Sequence, residues 1–344
     1  MKKKVAIIGP GQVAEKVHVS YYQTREELDV VAVVGTNIER VKSFAERNGI
    51  PHYYTNEEEM YAAIRPDIVS VCTPNRFHCE HVLLAIANGC DVLCEKPPAI
   101  SAEEAKKMQD AAEANGCLLA YNFHHRFADD VTILHEKVKE GVLGDVYVTK
   151  VKALRRCGIP GWGSFTNKDV QGGGPLIDLG SHMLDAALYI LGFPKIERVT
   201  AKMYQKIGTK KSKGTLGEWD PNKYEVEDSL FGFIELKGGG IIQLETSFAL
   251  NIKDPSIMNV EFCGDAAGAT LFPAQIYTDE GGELVYYLDR ETADADRPYK
   301  SMKAFVNRCL GKEVMVADGK QGYVIQQLIE GLYQSAEKGE SVAL

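Results

Sequence analysis

Val5-Ala6-Ile7-Ile8-Gly9-Pro10-Gly11-Gln12-Val13-Ala14 is the stretch on which the reading of this chain turns. Four apolar residues run into Gly-x-Gly-x-x-Ala, the order expected of a strand, a tight turn and a helix. The first glycine permits the turn. The second lets an anionic group approach the backbone, and the small third residue lets the helix pack close on the strand. The opening amides of such a helix attract anions. Alone the motif is weak; at the head of a strand–helix–strand pattern it gains meaning.

The next hundred residues supply that pattern. Short, nearly continuous apolar runs at 30–34, 68–72, 92–94 and 118–121 suit strands covered on both faces. Helical stretches fall between them at 38–48, 57–64, 78–88 and 101–115. Ser101 with Glu104 forms a capping-box arrangement, and Gly49, Gly89 and Gly116 stand where helices should stop. Regular alternation predicts a parallel sheet with right-handed crossovers. The fold class is therefore α/β, with residues 1–121 read as a Rossmann dinucleotide-binding domain.

After about Phe127 the character changes. A helix is expected over 129–140, a strand over 146–154, an irregular Gly/Trp-rich stretch over 157–174 and a helix over 176–191. Longer alternating runs follow at 195–205, 226–236, 241–249 and 259–263, two of them joined by the turn Lys237-Gly238-Gly239-Gly240. Residues 122–344 thus read as an α+β domain with a large, mainly antiparallel open sheet. Helices at 299–310 and 320–338 close the pattern, the last expected to pack back on the first domain. Residues 208–217 read as a polar, basic, flexible loop.

Bulk properties exclude several classes. A length of 344 residues suggests two domains. Hydrophobic content of 45% and charged content of 25% are ordinary for a soluble globular protein. No apolar run approaches the roughly 18 residues needed to span a bilayer. Lys2-Lys3-Lys4 precedes an apolar stretch too short for a signal core. A net charge of −9 offers no electrostatic footprint for nucleic acid and little attraction to anionic membranes. The eight cysteines include no C-x-x-C pair, so they read as buried, reduced thiols in a cytoplasmic protein.

Three segments carry the chemistry. The second strand ends in Val34-Gly35-Thr36-Asn37, with Arg40 beyond. An acidic residue usually holds the ribose 2′-hydroxyl of NAD at this point. Here Gly35 occupies the position, and Thr36, Asn37 and Arg40 can receive a 2′-phosphate, so NADP is expected to serve at least as well as NAD. Cys94-Glu95-Lys96-Pro97 follows another strand, and ligands bind at the carboxyl ends of strands in open α/β sheets; Lys96 should face that crevice. Finally, Gly172-Gly173-Gly174-Pro175-Leu176-Ile177-Asp178-Leu179-Gly180-Ser181-His182 places a proline in the first helical turn. It also sets Asp178 and His182 four apart on one helix face. A histidine with an aligned carboxylate suits acid–base catalysis. No third ligand is evident nearby in sequence, and no metal is expected.

Together these segments resemble the Gfo/Idh/MocA family, named for glucose–fructose oxidoreductase, inositol dehydrogenase and a rhizopine-catabolism protein. The resemblance spans nearly the whole chain. It takes in the opening glycine motif, Thr73-Pro74-Asn75 with His78, Glu95-Lys96-Pro97, and the run from Asn122 to Arg126-Phe127. It continues through the GGG-x-x-x-D-x-G-x-H-x-x-D run, Glu227-Asp228, and Gln334-Ser335-Ala336-Glu337-Lys338-Gly339. It implies an NAD(P)-dependent oxidoreductase moving hydride between nicotinamide and a secondary alcohol or ketone of a sugar, polyol or inositol. It further implies that Gly9, Gly11, Gln12, Val13, Thr73, Pro74, Asn75 and His78 line the nucleotide, with Glu95 and Lys96 near the nicotinamide. The Lys96–Pro97 bond is often cis in relatives.

Lys96, Asp178 and His182 match the family's catalytic triad. His182 is expected as general base, Lys96 as hydrogen-bond donor to the reacting oxygen, and Asp178 as an orienting group. Trp162 matches an aromatic position near nicotinamide and substrate, and His124, Arg126 and Arg156 are further pocket candidates. The resemblance also implies a homodimer or homotetramer joined through the second-domain sheet. Two other readings belong to the same family: a non-catalytic NAD(P)-sensing regulator, and a sugar oxidoreductase or glycosidase with tightly bound cofactor.

Overall fold

A computed structural model describes residues 2–290 and 296–344. Two compact units emerge, one of Met1–Phe123 with Pro298–Val324 and one of His124–Arg297 with Ile325–Leu344.

In the first unit β1 (Lys3–Ile8) leads into a helical segment whose turn Ala14–Val19 is π-helical and whose last turn is α1 (Ser20–Tyr22). There follow β2 (Leu28–Val34), α2 (Ile38–Asn48), β3 (His52–Tyr54), α3 (Glu57–Ile64) and β4 (Ile68–Val71). Then come α4 (His78–Ala87), β5 (Asp91–Cys94), α5 (Ala102–Asn115) and β6 (Leu119–Tyr121). The sheet order is β3-β2-β1-β4-β5-β6, parallel throughout. Strand order therefore reverses between β1 and β4, where ligands bind in doubly wound sheets. Helix starts are fixed by side-chain caps: Asn37, Asn56 and Ser101 accept from the amides of Arg40, Glu59 and Glu104. The late helix Arg297–Cys309 closes this core with Met302, Phe305 and Val306. β3 escaped the sequence reading because it is a three-residue edge strand whose side chains are mostly exposed.

The second unit adds α6 (Asp129–Lys139), β7 (Val146–Arg155), α7 (Lys168–Gln171), α8 (Ser181–Ile190) and β8 (Ile196–Tyr204). The small hairpin β9 (Lys213–Gly214) and β10 (Gly217–Glu218) precedes β11 (Ser229–Leu236) and β12 (Ile241–Ser247). After these come β13 (Ser256–Gly264), β14 (Gly268–Thr270), β15 (Gln275–Glu280), β16 (Glu283–Asp289) and β17 (Val342–Ala343). Among the described residues the large sheet runs β16-β15-β14-β13-β7-β12-β11-β8-β17, antiparallel except for the pair β7–β12.

Three details differ from expectation. The stretch 208–217 is not a plain loop: it carries the β9–β10 hairpin, and the Trp219 indole donates to the Gly208 carbonyl at 2.9 Å. β11 starts at Ser229 rather than 226, because Glu227 and Asp228 turn their carboxylates onto neighbouring backbone amides. β14 to β16 gave no apolar alternation because β14 is short and both faces of β16 are largely exposed.

Candidate active site

The first unit presents a candidate nucleotide site at the carboxyl ends of β1, β4 and β5. Gly9 has φ +96°, and a Cβ there would lie 2.8 Å from the Cys72 carbonyl oxygen, so the tight turn demands glycine. Gly11 differs: a Cβ would meet only that carbonyl, at 3.9 Å, and open space lies beyond. The helix that follows starts at Gln12; its first amides have no intrahelical partner, and Gly11 before them has no side chain with which to cap them. Gln12 and Val13 are exposed beside it. Thr73 sets its methyl against Gly9, and its hydroxyl is buried without a hydrogen-bond partner among the described residues. An uncapped helix start, an open glycine and an orphan hydroxyl fit a bound dinucleotide phosphate.

Gly35 is fixed by packing. A Cβ there would stand 2.7 Å from Pro10 Cδ and 2.9 Å from Val41 Cγ2, which closes the position to any carboxylate. Thr36 and Arg40 are exposed. Asn37 Oδ1 is already engaged by the Arg40 amide at 3.0 Å, so only its amide group is left toward a ligand.

Behind this candidate site runs a polar chain. The Lys96–Pro97 bond is cis. Glu95 Oε1 accepts from Asn122 Nδ2 and meets His18 Nε2, both at 2.8 Å. His18 Nδ1 meets Ser70 Oγ at 3.0 Å, Tyr22 and Ser70 hydroxyls lie 2.6 Å apart, and Ser301 Oγ donates to Asn122 Oδ1 at 2.8 Å. Burial would raise the Glu95 carboxyl. The hydrogen bond and charge of His18, with the Asn122 amide and the Lys96 charge, outweigh it and hold the group at about 2. Glu95 thus stays ionised and tethered beside Lys96. His18 was missed by sequence reasoning, since a lone histidine on a first helix carries no signal without its partners.

His78 is corrected from a nucleotide contact to a brace. It is fully buried, with Nδ1 at 2.9 Å from the Pro97 carbonyl and Nε2 at 2.9 Å from the Thr73 carbonyl. It joins the loops after β4 and β5, and burial pulls its pKa down. Asn75 is nearly buried while Pro74 is exposed.

In the second unit, Gly172-Gly173-Gly174-Pro175 feeds a π-helical turn, Leu176–Gly180, that continues into α8. The expected single helix is therefore widened at Asp178. Single π-turns concentrate at functional sites. Glu227 fixes this start: its carboxylate accepts from the amides of Gly174 at 2.9 Å and Leu176 at 3.2 Å, and from the Tyr333 hydroxyl at 2.8 Å. A Cβ on Gly173 would overlap that same tyrosine hydroxyl. Asp178 is half-buried, and His182 is 5% exposed.

The arginines divide against expectation. Arg126 is fully buried and pairs with Asp185 through two hydrogen bonds, Nε donating at 3.0 Å, with Tyr189 and Phe193 rings against its guanidinium. It holds α8 and is not a pocket residue. Arg156 is exposed and donates to the Lys253 carbonyl at 2.7 Å. Its neighbour Arg155 is the one in electrostatic reach of Asp178; strand alternation along β7 puts adjacent residues on opposite faces. Trp162 is 55% exposed, edge-on to Phe165. His124 and His125, on the 3₁₀ turn His124–Phe127, stand beside His182 with ring centroids 4.6 to 4.7 Å apart in every pairing. His125, next to the pocket candidate His124, carried no signal of its own in the sequence.

Residues 3–123 match an oxidoreductase family described as an NAD-binding Rossmann fold, and residues 135–344 match its C-terminal alpha/beta domain. The chain is 60% identical over 341 residues to a D-glucoside 3-dehydrogenase of Escherichia coli, covering 99% of this chain and 97% of that relative. It is 34% identical over 220 residues to a glucose-6-phosphate 3-dehydrogenase of Bacillus subtilis, covering 62% and 61% of the two. A levoglucosan dehydrogenase solved with NADH has the same fold, with a TM-score of 0.83 at 19% identity over 100% of this chain and 99% of that one.

Proposed function

This chain belongs to the Gfo/Idh/MocA oxidoreductase family in both of its matched regions, and from that premise we propose that it oxidises carbon 3 of a D-glucoside to the ketone. Exchange of hydride between NAD(P) and a sugar hydroxyl carbon is the chemistry of this chain. The choice of glucoside and of carbon 3 is carried by the 60% identity to a relative named for that reaction.

The residues around Gly9, Gly11 and Thr73 would hold the dinucleotide, whose nicotinamide would supply the hydride acceptor. The protein's residues supply the rest. His182 accepts the hydroxyl proton as the C–H bond breaks and the carbonyl forms. Lys96 donates a hydrogen bond to the oxygen as negative charge grows on it, with the ionised, tethered Glu95 fixing the segment on which Lys96 sits. Asp178, beside Arg155, orients the sugar hydroxyls. Loss of a proton-transfer group costs roughly a hundredfold or more. His182→Ala and Lys96→Ala should each lower kcat by at least that factor, read from the ultraviolet absorbance of reduced cofactor with a methyl glucoside. Near-normal turnover of both would refute the roles.

The 2′-phosphate of NADP is accommodated at Thr36 and Arg40, since Gly35 carries no repelling carboxylate; kcat/KM with NADP+ should match or exceed that with NAD+. All eight cysteines are free thiols, which supports a reducing cytoplasm. Tyr204, Phe233, Leu284, Tyr286 and Tyr287 leave large apolar area exposed on the second-unit sheet, which supports a homodimer or homotetramer joined there.

A further inference from the structure

His124, His125 and His182 each offer a ring nitrogen within 4.8 Å of the others. Their ring centroids form a nearly equal-sided triangle, 4.6, 4.6 and 4.7 Å on edge. Two of the rings are half-buried and one is buried, so an ion has a way in and an anchored ligand to meet. The anchor is firm: His182 opens α8, and the turn bearing His124 and His125 is fixed to that helix by the Arg126–Asp185 pair.

We propose that these three imidazoles form a binding site for a divalent cation of the zinc class. Imidazole is the ligand that suits zinc, cobalt(II) and nickel(II). With metal–nitrogen bonds of about 2.0–2.1 Å, tetrahedral ligands stand roughly 3.4 Å apart. Closing the nitrogens, which lie within 4.8 Å of one another, to that spacing takes rotation of the two half-buried rings. Three protein ligands leave a fourth position for water or a sugar hydroxyl. Arg297 opposes the ion: its Nη1 lies 3.2 Å from His125 Nδ1, and an arginine can only donate, so it occupies that lone pair. The site therefore binds metal in competition with a guanidinium. Occupancy also withdraws the His182 lone pair from proton transfer, a consequence that rests on the role given to His182 above.

Cobalt(II) added to the full-length protein should give one equivalent of visible absorption of tetrahedral nitrogen-ligated type. Substituting His124→Asn with His125→Asn should weaken binding by roughly a hundredfold or more. Arg297→Gln should tighten it by roughly tenfold by removing a competing cation, and this variant keeps all three ligands. Absence of the band in both the parent and Arg297→Gln, or a band that survives the double histidine change, overturns the site. Zinc should also abolish turnover, reversibly with chelator. A cobalt band lost in the double variant, together with full turnover of the loaded enzyme, upholds the site and instead overturns the assignment of His182 as proton acceptor.

Discussion

Two glycine-rich loops in this molecule look alike and are used in opposite ways. Gly9-Pro10-Gly11 and Gly172-Gly173-Gly174-Pro175 each enter a π-helical turn, and each delivers a histidine, His18 within one turn and His182 just after the other. In the first loop the helix opening has no side-chain cap and Gly11 faces open space. In the second, Glu227 already sits on the amides of Gly174 and Leu176. A helix start attracts negative charge in either case. Whether the chain supplies its own carboxylate decides whether that start binds a ligand or only anchors a helix. The histidines differ in their surroundings: His18 is fully buried and spent on Glu95 and Ser70, whereas His182 stands against the rings of His124 and His125.

The comparison breaks most sharply if the first loop is given a resident carboxylate of its own. Gly11→Asp has room for its Cβ, so stability should change little. A carboxylate about 4 Å from the pyrophosphate costs about 4 kcal/mol at a surface-like dielectric, so cofactor should bind about a thousandfold more weakly in a fluorescence titration.

A smaller effect follows from His18. Glu95 is held at about 2 in the fold against an ordinary value of 4.5. A depressed carboxyl stabilises the fold above its unfolded value, and the contribution vanishes as pH falls from near 4.5 through about 2. It amounts to about 3 kcal/mol. Urea unfolding measured across that range should show the loss in the parent protein and a flatter profile in His18→Leu.

The smallest effect, that of Glu227→Gln, sharpens the second loop. Burial pushes the Glu227 carboxyl up, so Glu227→Gln imitates its protonated form and should cost about 1 kcal/mol in urea unfolding. Glu227→Leu, which strands two amides and a phenol hydroxyl, should cost about 3 kcal/mol or more.

The first loop was legible in the sequence because its information is local. Gly9, Gly11 and Ala14 are read from spacing alone, and the parallel order of β1 to β6 follows from alternation. The second loop was legible only in part. Asp178 and His182 stand out, but Glu227 lies 53 residues from Gly174 and Tyr333 lies 106 residues from Glu227. No spacing rule links them. The same distance hid Arg297 beside His125 and His18 beside Glu95. Arg155 was passed over and Arg156 singled out because the face each takes depends on the register of β7 against β12 and β13.

The central claim is a hydride leaving carbon 3 of a glucoside. Methyl glucoside deuterated at carbon 3 should pass its deuterium to the oxidised cofactor, giving reduced cofactor one mass unit heavier and a 3-keto sugar that no longer carries the label. Reduced cofactor without deuterium, alongside an oxidised sugar that retains it, would contradict the account.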